Sequence, residues 1–291
     1  MLRNVIDLHA HTLCSDGSVS PSQLVALAHS QGARAIAITD HDTVAGLVEG
    51  RRAAEPLGIE FINGIEISAE HSPGTMHILG YCIDAESPAL ASKLNELRSA
   101  RNDRNPKIAA RLQALGLDIG YDDVMRLAGN EVVGRPHFAR LMVERGYAQS
   151  IKDAFDRFLA KGASAYVEKA RLSPAESIAL IHEAGGVAVL AHPYQLNLPS
   201  YEEVEQLVRE LAAMGLDGIE AIYSRHSPVA RDLYAQMAAR HGLLVTGGSD
   251  YHGSYKPDIS LVTGEGDLEV PYALIEEMKA RAAARAKAIR S

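Results

Sequence analysis

Histidines and carboxylates recur in this chain at one kind of place, just past a short apolar run. VIDL leads into His9-Ala10-His11. Residues two apart on a strand share a face, so both imidazoles point to one spot. Asp16 follows in a Ser-Asp-Gly turn, AIAIT runs into Asp40-His41, FINGIEIS offers Glu66 and the next run offers His77. VAVLA leads into His192-Pro193, and LLVTGGS into Asp250-Tyr251-His252. Six of the 12 histidines are placed in this way, and burying so many polar groups without a function is costly. Mixed imidazole and carboxylate donors suit Zn, Mn or Fe, and less well Mg or Ca. Nine side chains (His9, His11, Asp16, His41, Glu66, His77, His192, Asp250 and His252) exceed one tetrahedral or octahedral site once positions are left for water. Two or three divalent ions are therefore expected, with Glu66 able to bridge a pair. Cations about 3.5–4 Å apart activate water and clamp both oxygens of an in-line phosphoryl displacement, so the expected chemistry is hydrolysis of a phosphate ester.

Other residues of the same types read differently. His29, His182 and His241 stand in helices just before glycines and are expected to be structural; His71, in a polar turn, is expected to be solvated. Cys14 is taken as a neighbour of the cluster, and Asp40 as a partner that orients one of its histidines.

The elements that must position these groups repeat a pattern of helix, glycine stop, short apolar strand and polar residues, as in LVALAHSQGARAIAITDHD, SIALIHEAGGVAVLAHPY, LVRELAAMGLDGIEAIYSRH and LYAQMAARHGLLVTGGSDYH. Glycine past a helix end suits the left-handed position there. Apolar runs without polar alternation suit strands buried on both faces, and alternation of helix with strand implies parallel βαβ units. Strands are expected near 3–8, 34–39, 59–67, 75–82, 186–191, 217–222 and 243–248, the third and fourth being antiparallel because only a polar turn around 71–74 joins them. The fold class is α/β: a seven-stranded barrel whose strand ends carry the site. Between about 84 and 172 the strand signals stop. One or two helices ending at Gly116, then YDDVMRLAGN and SIKDAFDRFLAKG, read as a helical insertion. Ser173 is the expected N-cap, with Pro174 at the first helical position, where the barrel resumes. The division expected is 1–97 barrel, 98–171 insertion, and 172–291 barrel.

Hydrophobic residues make up 47% of 291 and charged residues 23%, a balance that supports a sizeable core and excludes general disorder. No apolar run reaches the roughly 18 residues of a membrane span. The opening residues lack the apolar stretch of a secretion signal, and two cysteines make no disulfide framework, so the expected compartment is the cytoplasm. The net charge of -8 argues against general coating of nucleic acid. It is uneven, however: residues 98–171 carry 14 Lys and Arg against 9 Asp and Glu, and the rest carries 15 against 28. An acidic body with a basic insert suits a small anionic ligand if the body also holds cations.

His9-x-His11, Ser15-Asp16-Gly17, Thr39-Asp40-His41-Asp42 and Gly248-Ser249-Asp250-x-His252 together resemble the motifs of the PHP (polymerase and histidinol phosphatase) family, over about residues 1–95 and 170–291. The resemblance implies a distorted seven-stranded (β/α) barrel with a trinuclear site, Mn being the first expectation and Mg, Fe or Zn the alternatives. It implies His9, His11, Glu66 and Asp250 on one ion, Glu66, His77 and His192 on a second, and Asp16, His41 and His252 on the third. Asp16, His41, Asp250 and His252 would then act in catalysis through water held by the ions. In the insert, Gly134-Arg135-Pro136-His137-Phe138-Ala139-Arg140 and Phe158-Leu159-x-Lys161-Gly162-x-x-Ala165-Tyr166-Val167 resemble the bacterial members that act on 3′,5′-nucleoside bisphosphates, some of which also trim short 5′-phosphorylated RNA. Arg135 could fork onto a phosphate, with His137 as a further donor. Arg101, Arg104 and Lys107, at helical spacings, could meet a second phosphate. His226, after the strand AIYS, could point into the same mouth. The expected partner is a small nucleotide, with short RNA as a further substrate. The competing expectations are another phosphomonoesterase, such as a histidinol phosphatase, and a metal-binding module without activity.

Overall fold

The structure is a computed structural model that describes residues 4–129, 133–168 and 170–290. Contacts divide the chain into two compact units, Met1–Ser92 with Arg171–Ser291, and Lys93–Ala170.

The larger unit is a barrel. Its strands are β1 (Val5–Asp7), β2 (Ala35–Ile38), β3 (Glu60–Ala69), β4 (Met76–Tyr81), β5 (Val187–Leu190), β6 (Gly218–Tyr223), β7 (Leu244–Gly248) and β8 (Val270–Pro271). They form one sheet in the order β7-β6-β5-β4-β3-β2-β1-β8. β1, β2 and β3 pair in parallel, as do β5, β6 and β7. β4 runs antiparallel to both its neighbours. The link from β3 to β4 is too short for the crossover that a parallel pair needs, and this reversal brings the start of β4, with His77, to the face where the parallel strands end. The sheet nearly closes on itself: the Leu8 amide donates to the Gly247 carbonyl (3.2 Å), and the Asp250 amide to the His9 carbonyl (2.8 Å). The count of seven strands is corrected to eight, because β8 adds antiparallel to β1. Two residues are too short to show any periodicity, and Pro271 suits the edge of a sheet.

Both faces of the strands are buried. Ile6, Leu8, Ala35, Ala37, Val187 and Val189 belong to one cluster, and Ile36, Ile38, Ala188 and Leu190, alternating with them, are also inaccessible. The helices α1 (Pro21–Ser30), α2 (Leu47–Ala54) and α3 (Pro88–Ala114) belong to the first half of the chain. Ser20 and Gln23 cap α1 reciprocally, with Pro21 in its first turn. The smaller unit holds most of α3, together with α4 (Tyr121–Ala128), α5 (Arg135–Glu144) and α6 (Ile151–Ala154), the last continued by a π-helical turn at Phe155–Leu159. It has a core of its own around Ile108, Leu112, Val124, Phe138, Met142 and Leu159. The barrel then resumes with α7 (Pro174–Glu183), capped by Ser173 as expected, with Glu176 completing a reciprocal cap, and continues through α8 (Tyr201–Ala213), α9 (Pro228–Arg240) and α10 (Ala273–Arg290). Among the described residues, no helix is long and apolar enough to cross a membrane.

Asp217, just before β6, ties several of these elements together. Its carboxylate accepts from the His182 imidazole of α7 (2.9 Å), from the Ala188 amide of β5 (2.9 Å) and from both ends of the Arg285 guanidinium of α10 (2.8 Å each). Burial raises its pKa, but these donors outweigh it and hold the carboxyl at about 2. A depressed carboxyl stabilises the fold fully above its unfolded pKa, near 4, and the contribution is lost as the pH falls toward 2. Asp217→Asn should therefore cost about 2–4 kcal/mol at neutral pH. In urea unfolding, the gap between variant and wild type should narrow between pH 4 and 2. A gap that does not change with pH would remove the ionic part of this account.

Candidate metal centre

Strand ends and tight turns place the candidate ligands. His9 and His11, just past β1, are fully buried. The turn after them folds back so closely that a Cβ on Gly17 would lie 2.3 Å from the His11 carbonyl oxygen, so only glycine lets Asp16 return to its histidine. Asp40 anchors the same turn, accepting from the Thr12 amide (2.8 Å), the Thr12 hydroxyl (2.6 Å) and the Ser15 hydroxyl (2.5 Å). The expectation that Asp40 orients a histidine is thus corrected: hydroxyls and an amide take up its lone pairs. On the opposite side β7 packs directly on β1, and a Cβ on Gly248 would stand 2.4 Å from the backbone nitrogen of His9. His192 (φ 25°) and Asp250 (φ 58°) occupy the left-handed backbone region. That conformation costs a residue with a side chain free energy and is found where function demands it.

Glu66, inside the second half of β3 and 1% exposed, is the centre of the cluster. One of its oxygens lies 2.8 Å from His77 Nδ1 and 2.9 Å from His192 Nε2. The other lies 3.0 Å from His41 Nδ1, 3.3 Å from His11 Nε2 and 3.5 Å from His9 Nε2. Asp250 Oδ1 is 3.3 Å from His11 Nε2 and 3.6 Å from His9 Nε2. Asp16 faces His252 Nε2 (3.3 Å), His11 Nδ1 (3.5 Å) and His41 Nε2 (3.6 Å). Four overlapping sets of donor atoms result, each within 4.8 Å: His11, Asp16, His41 and His252; His9, Glu66 and His192; His9, His11 and Asp250; His41, Glu66 and His77. The structure thus brings together all nine side chains expected to bind metal.

These residues fit metal ions on grounds of their own. His9 Nε2, both nitrogens of His11, His41 Nδ1 and Glu66 Oε2 are buried and lack a good hydrogen bond. Polar atoms abandoned in this way are rare in folded proteins. Donor atoms about 3–3.5 Å apart are also what cations with bonds near 2.1 Å would have around them. The electrostatics agree. Burial opposes ionisation of Asp16, Glu66 and Asp250, yet the surrounding imidazoles hold all three carboxyls well below their ordinary values. Burial also opposes a charge on His11, but the contacts with Asp250, Glu66 and Asp16 raise it to about 9. His77, for which burial prevails, falls to about 4 and keeps a free lone pair at neutral pH. The pocket is anionic and draws positive charge into itself, whether protons or metal ions.

Three supporting residues escaped the sequence reading. Glu220 of β6 accepts from His9 Nδ1 (2.8 Å) and from the His192 amide (2.8 Å), so the Nε2 lone pair of His9 faces the cluster. The Tyr223 hydroxyl and the Lys256 ammonium both donate to Asp250 Oδ2, each at 2.7 Å. A signal for Glu220 was present: a carboxylate inside a strand buried on both faces, which must find a partner. Tyr223 and Lys256 carried no comparable mark. His71 is corrected from solvated to half-buried, with Nε2 donating to the Leu196 carbonyl (3.1 Å).

The residues expected to meet substrate lie outside the cluster. Arg101, Arg104, Lys107, Arg135 and His137 belong to the inserted unit. Arg101 is half-buried and Lys107 exposed, whereas Arg104 is buried (6% exposed) with its guanidinium on the Asn105 side chain. The three therefore do not form one solvated face. Arg135 lies half-buried near the Phe155 and Tyr166 rings and donates to the Leu159 carbonyl (3.1 Å). His137 Nδ1 accepts from the Gly134 amide (3.1 Å) and closes the first turn of α5. In the barrel, His226 is 2% exposed, donates from Nδ1 to the Ala221 carbonyl (2.9 Å), and is enclosed by Tyr194, Tyr223 and Tyr234.

Comparison with known proteins agrees with this geometry. Residues 7–219 match the PHP domain model. The chain is 37% identical over 248 residues to a 3′,5′-nucleoside bisphosphate phosphatase from Chromobacterium violaceum, covering 85% of this chain and 87% of that one. It is also 37% identical over 250 residues to the 5′-3′ exoribonuclease Rnm of Escherichia coli, covering 85% of each. A crystal structure from Bifidobacterium adolescentis, assigned as a metal-dependent phosphoesterase, superposes with a TM-score of 0.81 at 33% identity, over 95% of this chain and 96% of that one. A barrel that gathers nine imidazole and carboxylate side chains at one end, together with these similarities, places the chain in the PHP family of metal-dependent phosphoesterases.

Proposed function

We propose that the chain is a phosphatase that removes the 3′-phosphate from nucleoside 3′,5′-bisphosphates, giving a nucleoside 5′-monophosphate and inorganic phosphate, and that it also trims short 5′-phosphorylated RNA. The observation that carries this reading is the gathering of nine donor side chains, Glu66 among them, in four overlapping sets, the right groups to bind several cations and, with them, a phosphate dianion. The choice of nucleotide is supported by the relatives from C. violaceum and E. coli, named for a bisphosphate phosphatase and an exoribonuclease, and by the basic insert. The free cysteines, Cys14 and Cys82, suit the reducing cytoplasm in which we place the enzyme.

Three ions would be held, by His9, His11, Glu66 and Asp250, by Glu66, His77 and His192, and by Asp16, His41 and His252, with Mn the metal that we favour. When bound, divalent cations supply positive charge for the phosphate and make water nucleophilic near neutral pH. The protein's share is to keep the donors in order. Glu220 fixes the tautomer of His9, and the Asp250 carbonyl accepts from His252 Nδ1 (2.8 Å) so that Nε2 faces Asp16. Tyr223 and Lys256 occupy the outer oxygen of Asp250 and leave the inner one for the site. In the reaction, oxygen from water joins phosphorus, the bond from phosphorus to the ribose 3′-oxygen breaks, and that oxygen takes up a proton. The 5′-phosphate is untouched, and Arg135 and His137 are proposed to contribute to recognising it.

Metal analysis is the first test. Protein purified with saturating Mn should approach three equivalents, and His9→Asn should lower both metal content and activity; a value at or below one equivalent sinks the trinuclear proposal. The reaction is tested by phosphorus NMR in oxygen-18 water with adenosine 3′,5′-bisphosphate. Label should enter inorganic phosphate while AMP keeps its 5′-phosphate. Accumulation of adenosine 3′-monophosphate would reverse the orientation, and consumption of histidinol phosphate with no turnover of the bisphosphate would replace the function proposed here. Finally, Arg135→Ala should lower kcat/KM for the bisphosphate at least tenfold more than for para-nitrophenyl phosphate, which has no second phosphate to anchor. Equal losses would instead give Arg135 a purely structural role in the insert, consistent with its bond to Leu159.

A further inference from the structure

A cleft of about 580 Å³ opens in the barrel unit beside the metal centre. Tyr223 and Lys256 line it while bonding Asp250. Tyr194 and Gln195 follow His192 by two and three residues, and Thr75 precedes His77 by two, so the cleft is lined by chain neighbours of two candidate metal ligands. Tyr194 is 44% exposed. It leans on Tyr223 at 5.7 Å between centroids and a 30° tilt, and stands nearly perpendicular to the His226 ring at 5.8 Å. A large aromatic ring held in place from beneath, with much of its surface bare, is poised to stack on a flat ligand. The other groups are hydrogen-bonding and cationic: the amides of Gln195 and Asn197, the Thr75 hydroxyl and Arg225. Arg225 is held in position by Asp258 (2.6 Å) and Glu265 (3.2 Å).

We infer that this cleft binds the nucleoside esterified to the scissile phosphate, with the base stacked on Tyr194 and the amides and hydroxyl of Gln195, Asn197 and Thr75 on its polar edges and ribose. The inference rests on the phosphatase reading above and names a part of the site that the metal residues do not supply. An aliphatic or lipid group would make no use of the polar lining of Thr75, Gln195 and Asn197, and a bare phosphate would leave Tyr194 uncovered. A nucleoside satisfies both, and the cleft has the size usual for ligands of that bulk. Such a nucleoside could be that of the bisphosphate itself or the second nucleotide of a short RNA.

The test is equilibrium binding to the Mn-loaded protein, using AMP and inorganic phosphate as probes. Base stacking on an aromatic side chain is worth about tenfold in affinity, often more. Tyr194→Ala should weaken AMP by about that factor and phosphate by less than twofold, and Tyr194→Phe should restore AMP. Retained phosphate binding shows that the variant is folded. Steady-state kinetics then separate the two sources. A rise in KM for adenosine 3′,5′-bisphosphate assigns the cleft to its own nucleoside. A rise only for a 5′-phosphorylated diadenylate assigns it to the second nucleotide. Unchanged AMP binding in Tyr194→Ala, or equal weakening of AMP and phosphate, overturns the inference. If AMP binds through Tyr194 but the wild type leaves the bisphosphate intact, the proposed reaction falls and the nucleoside site stands.

Discussion

Everything at the working end of the barrel depends on a carboxylate that cannot be left alone. Glu66 is almost completely buried, and an ionised carboxylate in that position is tolerable only when surrounded by positive charge or strong donors. Five imidazoles from four segments of chain surround it. Their own burial has to be compensated in turn, by Asp16, Asp250 and Glu220. The result is a closed set of mutual obligations: no member is satisfied without the others, and the set as a whole calls for cations. The strained backbone at His192 and Asp250 is intelligible in these terms, because each residue is held by more contacts than one unfavourable φ can undo.

The barrel is the device that meets those obligations. Parallel strands deliver their carboxyl ends to one face, and the reversal of β4 adds His77 to that face from the opposite direction. Gly17 and Gly248 provide the two close approaches, one of turn to strand and one of strand to strand, that pull Asp16 and Asp250 within reach of the same histidines. The inserted unit has a separate core and its own stabilising contacts.

Much of this was legible in the amino-acid order, for a local reason. His9, His11, His41, His192 and His252 each follow an apolar run that can only be a buried strand, so residue type and position were visible in one short window. Glu220 was harder: its role appears only when β6 is placed beside β5 and across from β1, a pairing that no local pattern encodes. Lys256 lies in an irregular segment and gains its meaning from the fold of the chain around Asp250. The burial of Arg104 was hidden for a related reason. Helical spacing put it with Arg101 and Lys107, but the direction in which a helix turns its faces is set by its surroundings in the fold, and Arg104 is buried with its guanidinium on Asn105. The eighth strand was invisible because two residues have no period.

The seam of the barrel has a consequence for how the protein is made. Ser249 donates its amide to Asp7, a partner 242 residues earlier in the chain, and the neighbouring His9 and Asp250 meet across the same line. A chain emerging from the ribosome carries its first histidines long before the strand that encloses them exists. The inserted helices, whose contacts are largely their own, can pack while those histidines still wait. The ligand set is complete only once residue 252 has emerged, so any metal captured earlier must rest on a partial set of donors. Assembly of the centre thus waits for the strand that completes the sheet, when closing the sheet and filling the site become a single event.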